Sequence, residues 1–152
     1  MSIDHASISA ALLTAYPDLD AAAAHALIGA GHVMDVPAGQ KCPTCCGSFR
    51  EVMWLLEGSI RIYRQAADGR EVTLCHVTPG DLCPLSLYTL FHGGVYAAEA
   101  RTETRLRGIV VPSQELHALV DSNPKIRHLL LKHLASRMHE LGDLVSASVL
   151  SN

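Results

Sequence analysis

With 152 residues, 49% of them hydrophobic and 18% charged, the chain can bury one core, is too short for two ordinary domains, and is too apolar to stay disordered. Its formal net charge of −3 lacks the positive excess that neutralising several phosphates requires, so nucleic-acid binding by these residues alone is not expected. The start Met1-Ser2-Ile3-Asp4-His5 has no basic-then-apolar secretory pattern, and no apolar run reaches the ~20 residues that cross a bilayer, so the expectation is a cytoplasmic protein without a membrane partner.

The chain opens with two amphipathic segments, 8–15 and 19–30, that read as helices. Pro17 stops the first, and Asp18 is placed to cap the second. From residue 32 to 111 the pattern changes to short apolar stretches punctuated by turn residues. Residues 53–56 precede the turn Glu57-Gly58-Ser59, and residues 60–64 then alternate with period two, as strands do. Asp68-Gly69 supplies the positive φ of a tight hairpin, with 71–77 as its return strand. Thr78-Pro79-Gly80-Asp81 is the next turn. The Leu-rich stretch 82–91 fits strand or helix, and His92-Gly93-Gly94 ends it. Strands over 96–102 and 105–111 complete a set whose spacing predicts a sandwich or roll.

The last third returns to helix. Residues 114–120 form a short one, and Asn123 stands as a cap directly before Pro124 at the first position of a long one. In that helix Leu131, Met138 and Val145 alternate with Leu134, Leu141 and Ser148 at seven-residue periods. Such a seam predicts a homodimer through residues 124–149, against the alternative of a helix lying on its own core. The organisation expected is thus a helical segment over 1–31, a β-roll over 32–121 and a dimerisation helix over 122–152. The fold class is mainly β with helices.

Several local motifs occur in register: Val36-Pro37-Ala38-Gly39, Leu55-Leu56-Glu57-Gly58-Ser59-Ile60, Asp68-Gly69-Arg70-Glu71, Val77-Thr78-Pro79-Gly80-Asp81-Leu82, Ala97-Ala98-Glu99-Ala100-Arg101-Thr102 and Val110-Val111-Pro112. Together with the Asn-Pro-started helix, they resemble the cyclic-nucleotide-binding-like domain of the CRP/FNR superfamily of transcription regulators, from about residue 32 to the end. The resemblance implies an antiparallel, jelly-roll-like β-roll whose interior takes an effector and whose last helix pairs with a second subunit. Family members usually continue into a winged helix-turn-helix that reads the major groove. DNA contact is therefore expected only through a C-terminal domain missing from this chain, which reads as a truncated piece or a stand-alone sensor. Nucleotide-binding members hold the ribose with an acidic residue and the phosphate with an Arg-Ser pair, and the residues in those places here are Leu85, Gly94 and Val95. With no cation or hydroxyl there, the phosphate's desolvation goes unrepaid; cyclic nucleotide is not the expected effector, and Arg101 is the nearest substitute cation.

Five cysteines stand at 42, 45, 46, 75 and 83. An odd number in a reducing compartment fits thiols or metal ligands better than structural disulfides. The Cys42-Pro43-Thr44-Cys45 spacing lets two thiolates converge on one metal or cluster, whereas a Cys45-Cys46 disulfide would close a strained ring. On the family register Cys75 falls on the hairpin's return strand and Cys83 beside the effector pocket. The candidate cofactor site is Cys42, Cys45, Cys46, Cys75 and Cys83, with Cys42, Cys45, Cys75 and Cys83 as the metal set; an iron-sulfur cluster is the first expectation, haem or a cofactor-free thiol switch the alternatives. Cys75 and Cys83 fit equally well as small buried hydrophobes. Among nine histidines, His76 and His92 flank the presumed pocket as candidate axial haem ligands. His117, His128, His133 and His139 fall on the C-terminal helices, where a shifted pKa would give pH sensitivity.

The function expected is a non-catalytic redox or metal sensor that signals through the dimer helix, with a hinge near Asp121. A haem-based gas sensor is one alternative. A cupin-like metal enzyme on a jelly roll is another, although the His-x-His pair that class needs is absent.

Overall fold

The computed structural model describes residues 4–42, 50–94 and 98–150. Helices α1 (His5–Ala15) and α2 (Ala21–Ala30) come first, then strands β1 (His32–Val36), β2 (Glu51–Glu57), β3 (Ile60–Gln65) and β4 (Glu71–Val77). Helix α3 (Pro84–His92), strands β5 (Glu99–Thr102) and β6 (Leu106–Pro112), and helices α4 (Ser113–Ser122) and α5 (Pro124–Leu150) follow. Among the described residues all pairings are antiparallel within two three-stranded sheets, of order β1-β6-β2 and β4-β3-β5. The mainly antiparallel roll with a long final helix is as the sequence implied.

Where one core was expected, two hydrophobic clusters form, and the β1-β6-β2 sheet separates them. Strand side chains alternate between faces, so Val52 and Trp54 of β2, with Ile109 and Val111 of β6, meet the helices on one side. Met53 and Leu55, with Leu106 and Val110, meet the second sheet on the other. This sheet is covered on both faces, which explains why β2 and β6 read as nearly continuous apolar runs while β4, open to solvent, does not. Tyr16 ties the layers: its hydroxyl donates to the Asp81 carbonyl and accepts from the Leu55 N–H, each at 2.9 Å, and its ring meets Trp54 edge-on.

Helix boundaries follow capping chemistry. Asp20, not Asp18, caps α2 by accepting from the Ala23 N–H at 2.8 Å, because the Leu19 N–H closes a turn onto the Tyr16 carbonyl and delays the helix. Asp18 is left to accept from Lys132 of α5 at 2.9 Å. The ambiguous 82–91 stretch is helix α3, started by Pro84 at its first turn and ended by Gly93 in the left-handed region at φ 82°. Gly69, at φ 89°, turns the β3–β4 hairpin as expected. Asn123 Oδ1 accepts from the Lys125 and Ile126 N–H groups and so caps α5. Near Asp121 the α4–α5 junction is held by the Asn123 N–H on the Leu119 carbonyl and by Arg127 Nη1 on the Val120 carbonyl.

Candidate functional site

Helix α5 docks only along its first part. Ile126, Leu129 and Leu130 are buried and Leu134 is partly so, after which the helix stands away from the roll and residues 141–150 are all exposed. The gap between this departing helix, β4 and the start of α3 is a groove of about 380 Å³. Leu74 and Cys75 of β4 and Pro84 and Leu85 of α3 line one wall; Arg137, Glu140, Leu141 and Leu144 of α5 line the other. The size is in the range of small-molecule sites. Arg137, the cationic residue among its described lining, donates through Nη1 to Glu140 Oε2 at 3.0 Å and is only 22% exposed.

The cysteines divide by depth. Cys42 and Cys83 are buried in the cluster between the two sheets, with Cys75 half-buried against it. The Cys42 N–H donates to the Ala100 carbonyl at 2.9 Å, which pins the segment after β1 to β5. Burial pushes the Cys75 thiol up to about 11; the nearby Cys83 adds to this and Arg137 opposes it. Cys83 is raised mainly by burial, although the N–H groups of Ser86 and Leu85 at the start of α3 act the other way, and Cys42 is near enough to add a smaller effect. Among the described residues no three His, Cys, Asp or Glu side chains converge closely enough to hold a metal ion. Cys45 and Cys46 lie outside the described residues.

The other sequence candidates scatter. His76 on β4 is exposed and donates to Glu103 Oε1 at 2.8 Å, while His92 stacks on Tyr88 at the end of α3. Neither is among the groove's lining residues. Arg101 reaches the Gly39 carbonyl, away from the groove. Leu85 is in the wall, Gly94 follows α3, and Val95 is outside the described residues. His133 is half-buried beside Gly80, Asp18 and Lys132 in a smaller polar recess, and burial lowers its pKa. Sequence reasoning missed Arg137, Glu140, Leu74 and Leu144. The usable signal was the Arg137–Glu140 spacing on the rim of the heptad seam, which needed the roll's position to become a wall.

The β-roll and the long, half-docked helix thus share a ligand-sized groove. Residues 47–123, just over half the chain, match the family model of the cyclic nucleotide-binding domain, and the chain belongs to that family. It is 29% identical over 99 residues to the CRP-like cAMP-activated global transcriptional regulator of Mycobacterium tuberculosis, a match that covers 62% of this chain and 43% of that regulator. Among solved structures it resembles the catabolite activator protein of Thermus thermophilus, with a TM-score of 0.70 and 21% identity over 93% of this chain and 63% of the other. It also resembles the sensor domain of the transcriptional regulator DNR from Pseudomonas aeruginosa, with a TM-score of 0.71 and 16% identity over 91% of this chain and 93% of the other. The chain is thus a cyclic nucleotide-binding-family domain, and its fold is similar to that of CRP/FNR-type regulators. No helix among the described residues is long and apolar enough to cross a membrane.

Proposed function

We propose that this chain is the non-catalytic effector-sensing unit of a cytoplasmic transcriptional regulator, and that it reports occupancy of the groove through the position of α5 in a homodimer. The observation that carries this reading is that one groove has a wall on the roll and a wall on the helix. A ligand there changes its contacts whenever α5 moves, and differential contact is what a conformational signal requires. The pivot falls near Leu134, where burial of α5 ends. Leu131, Met138, Leu141, Leu144, Val145 and Val149, each 57–72% exposed in the single chain, supply the apolar stripe for the second copy. Reading of DNA is assigned to a winged helix-turn-helix outside these residues. Sedimentation should show a dimer that Val145→Glu converts to a monomer with unchanged helix content; a wild-type monomer at tens of micromolar would count against the reading.

A second reading rests on Cys42, Cys75 and Cys83 sharing one cluster. They do not converge closely enough to hold a metal as they stand, so ligation of an iron-sulfur cluster or another soft metal would draw them together with Cys45, with Cys46 adjacent. The raised Cys75 pKa bears on which chemistry is available. At neutral pH burial keeps Cys75 predominantly as the thiol, which makes a cofactor-free peroxide switch there slow. A metal drives off the proton with its own charge, so ligation survives this objection. Haem, the remaining alternative, would add a Soret band. Anaerobic purification followed by an absorbance spectrum and elemental analysis separates the three. The metal reading expects a brown or metal-loaded protein whose cofactor is lost in Cys45→Ser, and a colourless, metal-free product overturns it.

A further inference from the structure

We infer that the groove between β4, α3 and α5 takes a small apolar molecule bearing a single carboxylate or comparable anionic group, whose charge pairs with Arg137. This rests on the reading of the groove as the effector site and names what enters it. Five lining residues, Leu74, Pro84, Leu85, Leu141 and Leu144, present hydrocarbon, and the polar lining groups among the described residues are Cys75, Arg137 and Glu140. A nucleotide brings a ribose and a base edge whose several donors and acceptors would be desolvated against leucine. An alkyl or aryl chain loses nothing there and gains from burial.

The charge pattern selects the head group. Arg137 is mostly covered by the groove, whereas its partner Glu140 is 61% exposed. A guanidinium carries five N–H donors in a planar fork suited to a carboxylate, and Glu140 holds it through one described hydrogen bond that an incoming oxyanion can replace. An incoming carboxylate takes the fork, and Glu140 swings to water at little cost. Glu140 is then an internal competitor for the site. This exchange gives the ligand a hold on α5 itself, since Arg137 and Glu140 both belong to the helix while Leu74 and Leu85 belong to the roll.

The test uses the whole chain with octanoate as probe, measured by titration calorimetry beside 1-octanol and cyclic AMP. Octanoate should bind saturably and more tightly than either comparison compound. Arg137→Gln should weaken it about tenfold or more, and Glu140→Gln should tighten it. Because Glu140 is exposed, the second variant tests the exchange without disturbing the core. Octanoate affinity unchanged in both variants, or cyclic AMP binding more tightly than octanoate, overturns the ligand class. Hydrogen exchange separates this from the underlying reading, with Leu74→Trp as a ligand-independent way to fill the groove. If Leu74→Trp alters protection of residues 134–150 and octanoate does not bind, the ligand class fails and the sensor reading stands. If octanoate binds as described and neither it nor the tryptophan changes that protection, the sensor reading fails and the ligand class stands.

Discussion

The two halves of α5 are one continuous helix in opposite situations. Its first half is fixed by its own chain: Ile126, Leu129 and Leu130 are buried, Leu134 packs at the edge, and Lys132 reaches Asp18. Its second half carries Met138, Leu141, Leu144, Val145 and Val149 in the open. A helix of that length is marginal in water by itself, so the free half depends on the docked half for its nucleus, while its apolar stripe is left open by the described residues. The lesson is that one continuous helix can belong to the core at one end and stand clear of it at the other.

The same kind of truncation in each half of α5 should have unequal consequences. Leu130→Ala should cost about 2–5 kcal/mol in chemical denaturation, because it opens a cavity where α5 meets the roll. Leu144→Ala should stay within about 0.5 kcal/mol under conditions where the chain is monomeric. Equal costs would mean that the second half is docked in solution.

Next in size is Tyr16→Phe, which tests a hydroxyl inside the cluster that the docked half joins. It leaves the buried Leu55 N–H and the Asp81 carbonyl without their shared partner. A loss of about 1–3 kcal/mol is expected in the same measurement.

The smallest effect is a pH dependence at His133, on the boundary between the halves. Its neighbours are Asp81 before α3, Asp18 between α1 and α2, and Lys132 and Arg137 on α5. Burial lowers its folded pKa below the unfolded value of about 6.5 despite the two aspartates. The unfolded chain therefore binds the proton first. The stability tied to neutral His133 is present above about pH 6.5 and is lost as pH falls through the lower folded pKa. His133→Gln should flatten this part of the stability profile, measured as the denaturation midpoint between neutral and mildly acidic pH. A profile unchanged by the substitution would remove His133 from the boundary's energetics.

Local chemistry made much of the fold legible. Asp68-Gly69 marked the hairpin, Asn123-Pro124 marked the start of α5, and period-two alternation marked β3, because each signal depends on a few adjacent residues. The 82–91 stretch stayed ambiguous because its leucines satisfy either period; Pro84 and Gly93 held the answer as a helix start and stop. Asp18 was misread as a cap because its partner, Lys132, is 114 residues away. The candidate site was less legible. Cysteines stand out in a sequence, but their burial and raised pKa come from residues packed around them. Arg137 looks like any surface arginine of a helix until β4 and α3 are seen opposite it.

What the sequence determined by itself was the order and type of most elements, the turns between them and the seven-residue stripe, since periodicity and capping are written in neighbouring side chains. The half-docked state of the stripe's helix, the leucine-lined groove where it leaves the roll and the gathering of three cysteines in one cluster came from packing between distant segments. These are long-range facts. They depend on how twisted sheets and helices meet in space, which no local pattern specifies.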